Sequence, residues 1–368
     1  MSIYLYIVAA TLIFGAIMPQ RGRKRIFYII LMTAIHMFVC AFRYNHLTGD
    51  LMKYHFMFNN MASYSWLSEE VLQEGRNTGF FMLMKLVNTI TGGDFQMLLI
   101  VIAVITYLIV GYMIYRYSPA PWMSFLVWNC MAFFIFSLSA IKQSLAMAFV
   151  MLSFIGIAEK KPLYFLTMMG FAGLIHVPAL VFLPAYWLAQ RRVTSNILLF
   201  YLMLGVLLYI FKNQFVDFIR SFYYEDDEVF FFSGELGNRF IMLLGFALFS
   251  ILLKGFPNRD FEKLLHLMAI AAILQMLSGF DNIFTRLTDY YFQFSILYVP
   301  MIFYPSDRKL QRSLIRPLFP FNDRSLKVLA VFISVFMIWF YYTYNINIKI
   351  DYSVDNYLNF RFMWDVVQ

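Results

Sequence analysis

Eight polar residues stand where long apolar runs begin or end, and their types suit the departure of a negatively charged group. Arg43, Asp50 and Tyr54 fall in one stretch, running from Phe42-Arg43-Tyr44-Asn45 through Gly49-Asp50 to Tyr54. Lys142 and Gln143 lie between two apolar runs, His176 sits in His176-Val177-Pro178, and Arg239 and Arg286 each precede another run. Four cations and an imidazole gathered on one face would form a site for an anionic leaving group, because charge-assisted hydrogen bonds strengthen as negative charge grows. Architectural roles stand beside this one. Arg43 can anchor at an interface and pair with Asp50, Lys142 can anchor a helix end, and Arg286 can pair with Asp281 or Asp289. His46 and His55 share the loop with Asp50, whereas His36 lies within an apolar run and His266 at the far end of another.

The elements that must position these residues are set by composition. Of 368 residues, 61% are hydrophobic and 14% charged, with a mean hydropathy of +0.67. A soluble domain carries about 25% charged residues, so the solvent of this chain is a bilayer. An aromatic content of 20% suits packing against acyl tails and anchoring at headgroup level. The net charge of +8 does not indicate nucleic acid, since the Lys and Arg lie in short clusters between apolar runs. Cys40 and Cys130 both fall in apolar segments, which argues against a disulfide framework. The cluster Arg21, Arg23, Lys24, Arg25 follows the first apolar stretch instead of preceding it, so that stretch reads as a retained membrane helix.

A spanning helix needs about 20 apolar residues. The sequence predicts an all-α, polytopic protein of about 12 spans, with 10–13 compatible, near 2–18, 26–42, 95–115, 119–137, 143–158, 162–175, 178–190, 195–211, 240–254, 264–280, 288–304 and 326–344. The runs 162–175 and 178–190 are alternatively one helix broken at His176-Val177-Pro178. The segment 80–91 is too short to span and reads as an interfacial or re-entrant helix, with Lys85 and Asn88 facing away from its apolar side. Residues 1–345 form one membrane domain with outer loops 43–94 and 212–239, and 346–368 form an outer tail. Placing the first basic loop in the cytoplasm puts 18 of the 29 Lys and Arg inside and leaves 11 outside, which puts both termini outside. The chemistry-bearing residues then share the outer face. The acidic run Glu225-Asp226-Asp227-Glu228 reads as a solvated loop and not a metal site.

Four pieces of the sequence carry a family resemblance. The stretch from Arg43 through Gly49-Asp50 to Tyr54, Ile141-Lys142-Gln143-Ser144-Leu145-Ala146, Phe171-Ala172-Gly173-Leu174-Ile175-His176, and Arg286-Leu287-Thr288-Asp289-Tyr290-Tyr291 occur in the order seen in the EpsG family of Wzy-type polysaccharide polymerases, which this chain resembles over about residues 1–345. The family pattern has Arg where this chain has Lys142, which exchanges a planar fork for a point charge. The resemblance implies a membrane glycosyltransferase in the bacterial cytoplasmic membrane, using undecaprenyl-diphosphate-linked oligosaccharide as both donor and acceptor on the outer face. The four cations would hold the diphosphate without a metal and no cofactor is expected, membrane lipid forms the surroundings, and a chain-length regulator and a flippase are candidate partners. Nucleic acid has no place in this reading. In that reaction Arg43, Lys142, Arg239 and Arg286 would hold the diphosphate, His176 or Asp50 would take the acceptor proton, and Tyr54, Gln143 and Tyr290 would complete the substrate site. Trp66 and Tyr64 lie in reach for sugar stacking. A lipid-linked oligosaccharide flippase and an O-antigen ligase are the alternative functions. A transporter would show internal pseudo-symmetry and charges at the bilayer midplane, and neither stands out here.

Overall fold

A computed structural model describes residues 3–18, 21–44, 49–72, 76–223, 238–252, 258–281, 283–304, 323–340 and 360–364. Among them the chain is helical, with one isolated antiparallel bridge between Arg43 and Phe362. The helices are α1 (Ile3–Ile17), α2 (Gly22–Ala41), α3 (Gly49–Asn60), α4 (Glu69–Leu72), α5 (Thr78–Thr91), α6 (Phe95–Tyr117), α7 (Pro121–Cys130), α8 (Phe133–Ser139) and α9 (Ile141–Ala158). They continue with α10 (Pro162–Ile175), α11 (Ala185–Gln190), α12 (Ser195–Ile210), α13 (Lys212–Tyr223), α14 (Asn238–Leu252), α15 (Arg259–Met276), α16 (Ile283–Phe292), α17 (Ser295–Phe303) and α18 (Asp323–Phe340).

Each expected apolar run is largely helical, but length limits which of them cross a bilayer unaided. Among the described residues four helices are long and apolar enough: Gly22–Ala41, Phe95–Tyr117, Ile141–Ala158 and Arg259–Gly279. Two bent pairs, α7 with α8 at 56° and α12 with the start of α13 at 82°, raise the number to six. The expected twelve spans are not supported at this level, because α10, with 14 residues, covers only about 21 Å at 1.5 Å per residue against a hydrocarbon core of about 30 Å. The expected span 288–304 is also divided, with α16 starting at Ile283 and α17 at Ser295.

The centre of the protein lies where α6, α7 and α9 meet the α15 to α17 group, with α2 packed on α6 and α10 on α9. Gly156 lets α9 and α10 close on each other, since a Cβ there would stand 2.7 Å from the Phe165 nitrogen. Polar groups caught between α1, α2 and α7 satisfy one another, as hydrocarbon requires. His36 Nε2 meets Asn129 Oδ1 at 2.9 Å, Asn129 Nδ2 donates to Thr11 Oγ1 at 3.4 Å, and the Tyr28 hydroxyl donates to the Thr11 carbonyl at 3.1 Å. Cys40 and Cys130 are both free and buried.

Helix α5 corrects one expectation. Lys85 and Asn88 do not face outward; they are 6% and 4% exposed. The Lys85 ammonium donates to the carbonyls of Met61 (2.6 Å) and Tyr64 (2.7 Å), and Asn88 donates to the Phe58 carbonyl (2.8 Å). Lys85 satisfies carbonyls of the irregular backbone that follows α3, and Asn88 reaches the last turn of α3 itself, so both polar heads are buried with partners. The exposed stripe is apolar instead: Met82, Leu86 and Ile90, spaced by one helical turn.

Candidate active site

The site is assembled from the ends of α5, α9 and α10 and one face of α16. Helix α10 stops at Ile175 because Pro178 cannot continue its ladder and disfavours helical backbone before it, and His176 is extended at φ −152° and ψ 104°. The break therefore falls at His176, with a 3-10 turn over Val177–Phe182 beyond it. The turn is held from below by Asn77, whose Oδ1 accepts the Val177 N–H at 3.2 Å. Asn77 lies at φ 52°, in the left-handed region that Asn tolerates better than most residues. Next to it Gly79 lets α5 approach α10, for a Cβ there would lie 3.0 Å from the Leu174 Cβ and 3.1 Å from its carbonyl oxygen.

Above the turn, α16 presents Arg286, Asp289 and Tyr290 at i, i+3 and i+4, and hence on one side of the helix. The Tyr290 hydroxyl lies 2.7 Å from His176 Nδ1. Asp289 is buried and accepts from Arg239 Nη1 at 2.8 Å, while that guanidinium also lies 5.3 Å from the centre of the Phe292 ring. Arg239 and Arg286 both act electrostatically on the Asp289 carboxyl. Gln143, in the first turn of α9, donates to the Arg286 carbonyl at 2.9 Å and ties the two helices together. Its neighbour Lys142 and the exposed Arg286 both act electrostatically on His176; burial first, then these two cations, hold its imidazole well below the usual histidine range. Asp50 and Tyr54 complete the group from α3. Asp50 acts on Lys142 and on Tyr54, and Arg286 acts on Tyr54, whose hydroxyl burial pushes up.

Eight of the nine residues singled out in the sequence thus meet around Arg286. Among the described residues three cations, Lys142, Arg239 and Arg286, gather with two carboxylates, Asp50 and Asp289, beside the His176 imidazole. Such a site attracts an anion and keeps a proton acceptor at hand.

The sequence model of the EpsG family matches residues 25–362, nearly the whole chain. The chain belongs to the EpsG family. It is a family of Wzy-like polymerases, and the helical, membrane-type architecture agrees with that membership. No curated protein and no solved structure matches this sequence.

The ninth residue, Arg43, is fully buried in this EpsG chain, and its Nη1 donates to the Cys40 carbonyl and lies 3.2 Å from Cys40 Sγ, which itself lies 3.7 Å from the Ser137 carbonyl of α8. Of the other histidines, His55 stacks on Phe95 at 4.7 Å, and His266 is held by the Tyr201 hydroxyl at 2.7 Å. His46 and the acidic run 225–228 lie outside the described residues. Trp66 is 44% exposed, with Lys85 Nζ 5.9 Å from its ring.

Asn77 and Asp289 are the site residues that sequence reasoning did not assign to it. Asp289 had a visible signal in its three-residue spacing from Arg286, but its partner Arg239 lies 50 positions away and no local pattern joins them. Asn77 had only its place before Thr78-Gly79.

Proposed function

We propose that this protein is a polysaccharide polymerase that joins undecaprenyl-diphosphate-linked oligosaccharide repeats by glycosyl transfer on the outer face of the cytoplasmic membrane. The observation that carries the reading is the meeting of His176, hydrogen-bonded to Tyr290, with Lys142 and Arg286 at one end of the helix assembly. An acceptor hydroxyl attacks the anomeric carbon of the donor chain. The carbon–oxygen bond to the diphosphate breaks, and its electron pair leaves on the lipid diphosphate. Lys142 and Arg286 neutralise that charge as it grows, a stabilisation that is strongest in the transition state. Arg239 is partly engaged by Asp289 and orients the edge of the site.

With Nδ1 donating its proton to the Tyr290 oxygen, His176 presents Nε2 to the acceptor hydroxyl and takes its proton; Asp50 is the second candidate base. A pKa below the usual histidine range keeps the ring neutral and ready at pH 7. An apolar cavity of about 450 Å³, lined by Ile241, Met242, Phe246, Phe303, Phe336 and Trp339, opens two residues beyond Arg239 and suits a polyprenyl chain. The excess of Lys and Arg in the first and alternate loops supports a topology with this end outside and both termini on the same side.

Purified protein supplied with undecaprenyl-diphosphate-linked repeats alone is expected to yield a ladder of products, with a chelator present. Absence of any product longer than one repeat, with folded protein and intact substrate, overturns the reading. Strict dependence on a divalent metal overturns the part given to the cations.

A further inference from the structure

Residues 360–364 lie across the end of α2 as a short extended segment, far in sequence from what they cover. The Tyr44 N–H donates to the Arg361 carbonyl at 2.8 Å and the Met363 N–H donates to the Phe42 carbonyl at 2.9 Å, with Arg43 and Phe362 directly opposite. The two-residue period of extended chain places Phe360, Phe362 and Trp364 together. Phe362 stacks on Trp364 at 4.7 Å, Trp364 meets Phe38 and Phe42 at 6.2 and 6.1 Å, and Phe360 meets Tyr4 at 6.3 Å. Among the described residues the attachment includes one isolated bridge and a row of aromatic rings, and Trp364 is 53% exposed.

Arg43, whose backbone stands opposite Phe362, is 0% exposed, and its Nε and Nη2 are buried without a hydrogen-bond partner among the described residues. A guanidinium is always charged and carries five N–H donors in a fork matched to phosphate oxygens. Sealing such a group with two nitrogens unmatched is unfavourable, and an incoming oxyanion relieves it. Glycosyl transfer between two lipid-linked repeats also requires two diphosphates to be held at once, one leaving and one staying with the acceptor. The His176 group supplies a place for the first.

We propose that residues 360–364 are a detachable strap over a second diphosphate site, in which Nε and Nη2 of Arg43 take the diphosphate that remains on the acceptor lipid. The identity of the ligand rests on the polymerase reading; the gated anion site does not. With the strap down the site is closed, and lifting it uncovers the fork.

The test uses the full chain with Tyr44→Cys and Arg361→Cys, positions opposite each other and within disulfide reach, the two native cysteines being buried and left in place. The same preparation is compared oxidised and reduced, so folding is common to both states. By calorimetry the reduced protein is expected to bind one more equivalent of inorganic diphosphate than the oxidised one, and Arg43→Gln in the same background to remove that equivalent. Polymerisation is expected to fall at least tenfold on oxidation and to return on reduction. Equal stoichiometry in both redox states overturns the strap, as does an extra equivalent that survives Arg43→Gln. If phosphatidylglycerol nanodiscs displace that equivalent at matched concentration, the diphosphate assignment is overturned in favour of ordinary headgroups. Redox-dependent binding without polymerisation by any variant would remove the polymerase reading and leave the gated site standing.

Discussion

Arg286 is the residue whose charge reaches most of the others: His176, Lys142, Tyr54 and Asp289 all feel it. Arg286→Ala should therefore lower turnover by about 10²-fold, the scale for removing one donor that stabilises transition-state charge, with little change in the amount of folded protein in the membrane. Lys142→Arg should keep or raise activity, since the site asks for a cation and the fork grips phosphate in two places. The pH dependence gives a sharper check. Because Lys142 and Arg286 disfavour the imidazolium, neutralising Lys142 by Lys142→Gln should raise the pKa of His176 toward its ordinary value. The acid limb of the rate profile, where the base is lost to protonation, should then move to higher pH. An unmoved limb in a variant that still turns over would take His176 out of the role of base. The residue types of this site were legible in the sequence because charges at the ends of apolar runs stand out. Arg43 was legible as a charge but not as a buried one, since the segment that covers it lies more than 300 positions away.

Between elements, the contact that matters most for the site is α5 against α10. Asn77→Gly keeps the left-handed backbone at φ 52° and deletes only the side-chain acceptor for Val177, so turnover should fall by about tenfold, the equivalent of one hydrogen bond of about 1.4 kcal/mol, measured per folded protein. Gly79→Val adds bulk where the Leu174 backbone stands 3.1 Å away and cannot yield. It should lower the melting temperature as well as the activity, with a cost of about 1–3 kcal/mol. A Gly79→Val protein as stable as the parent would mean that α5 is free to shift. At this scale the sequence was informative about where helices break, because Pro178 announces the turn at His176. It was less informative about how far each helix runs. Apolar composition alone does not distinguish a 14-residue helix from a span, and the burial of Lys85 depends on carbonyls of a loop 21 to 24 positions earlier.

For the molecule as a whole, the bias of Lys and Arg makes a definite statement about sidedness. A reporter fused after Ser233 should score as external and one after Lys309 as cytoplasmic, and cytoplasmic labelling of a cysteine at 233 would undo the shared outer face on which the mechanism depends. The strap has a further consequence, for the order of assembly. Membrane helices enter the bilayer as they are translated, so α1 and α2 are in place long before Phe360 exists to rest on Tyr4 or Phe362 to pair opposite Arg43. The first part of the protein to be made is among the last to be finished. A nascent chain arrested before residue 360 should leave a cysteine placed at Tyr44, opposite Arg361, open to a membrane-impermeant maleimide, and completion of the chain should protect it, so that closure of this corner becomes a clock for biogenesis.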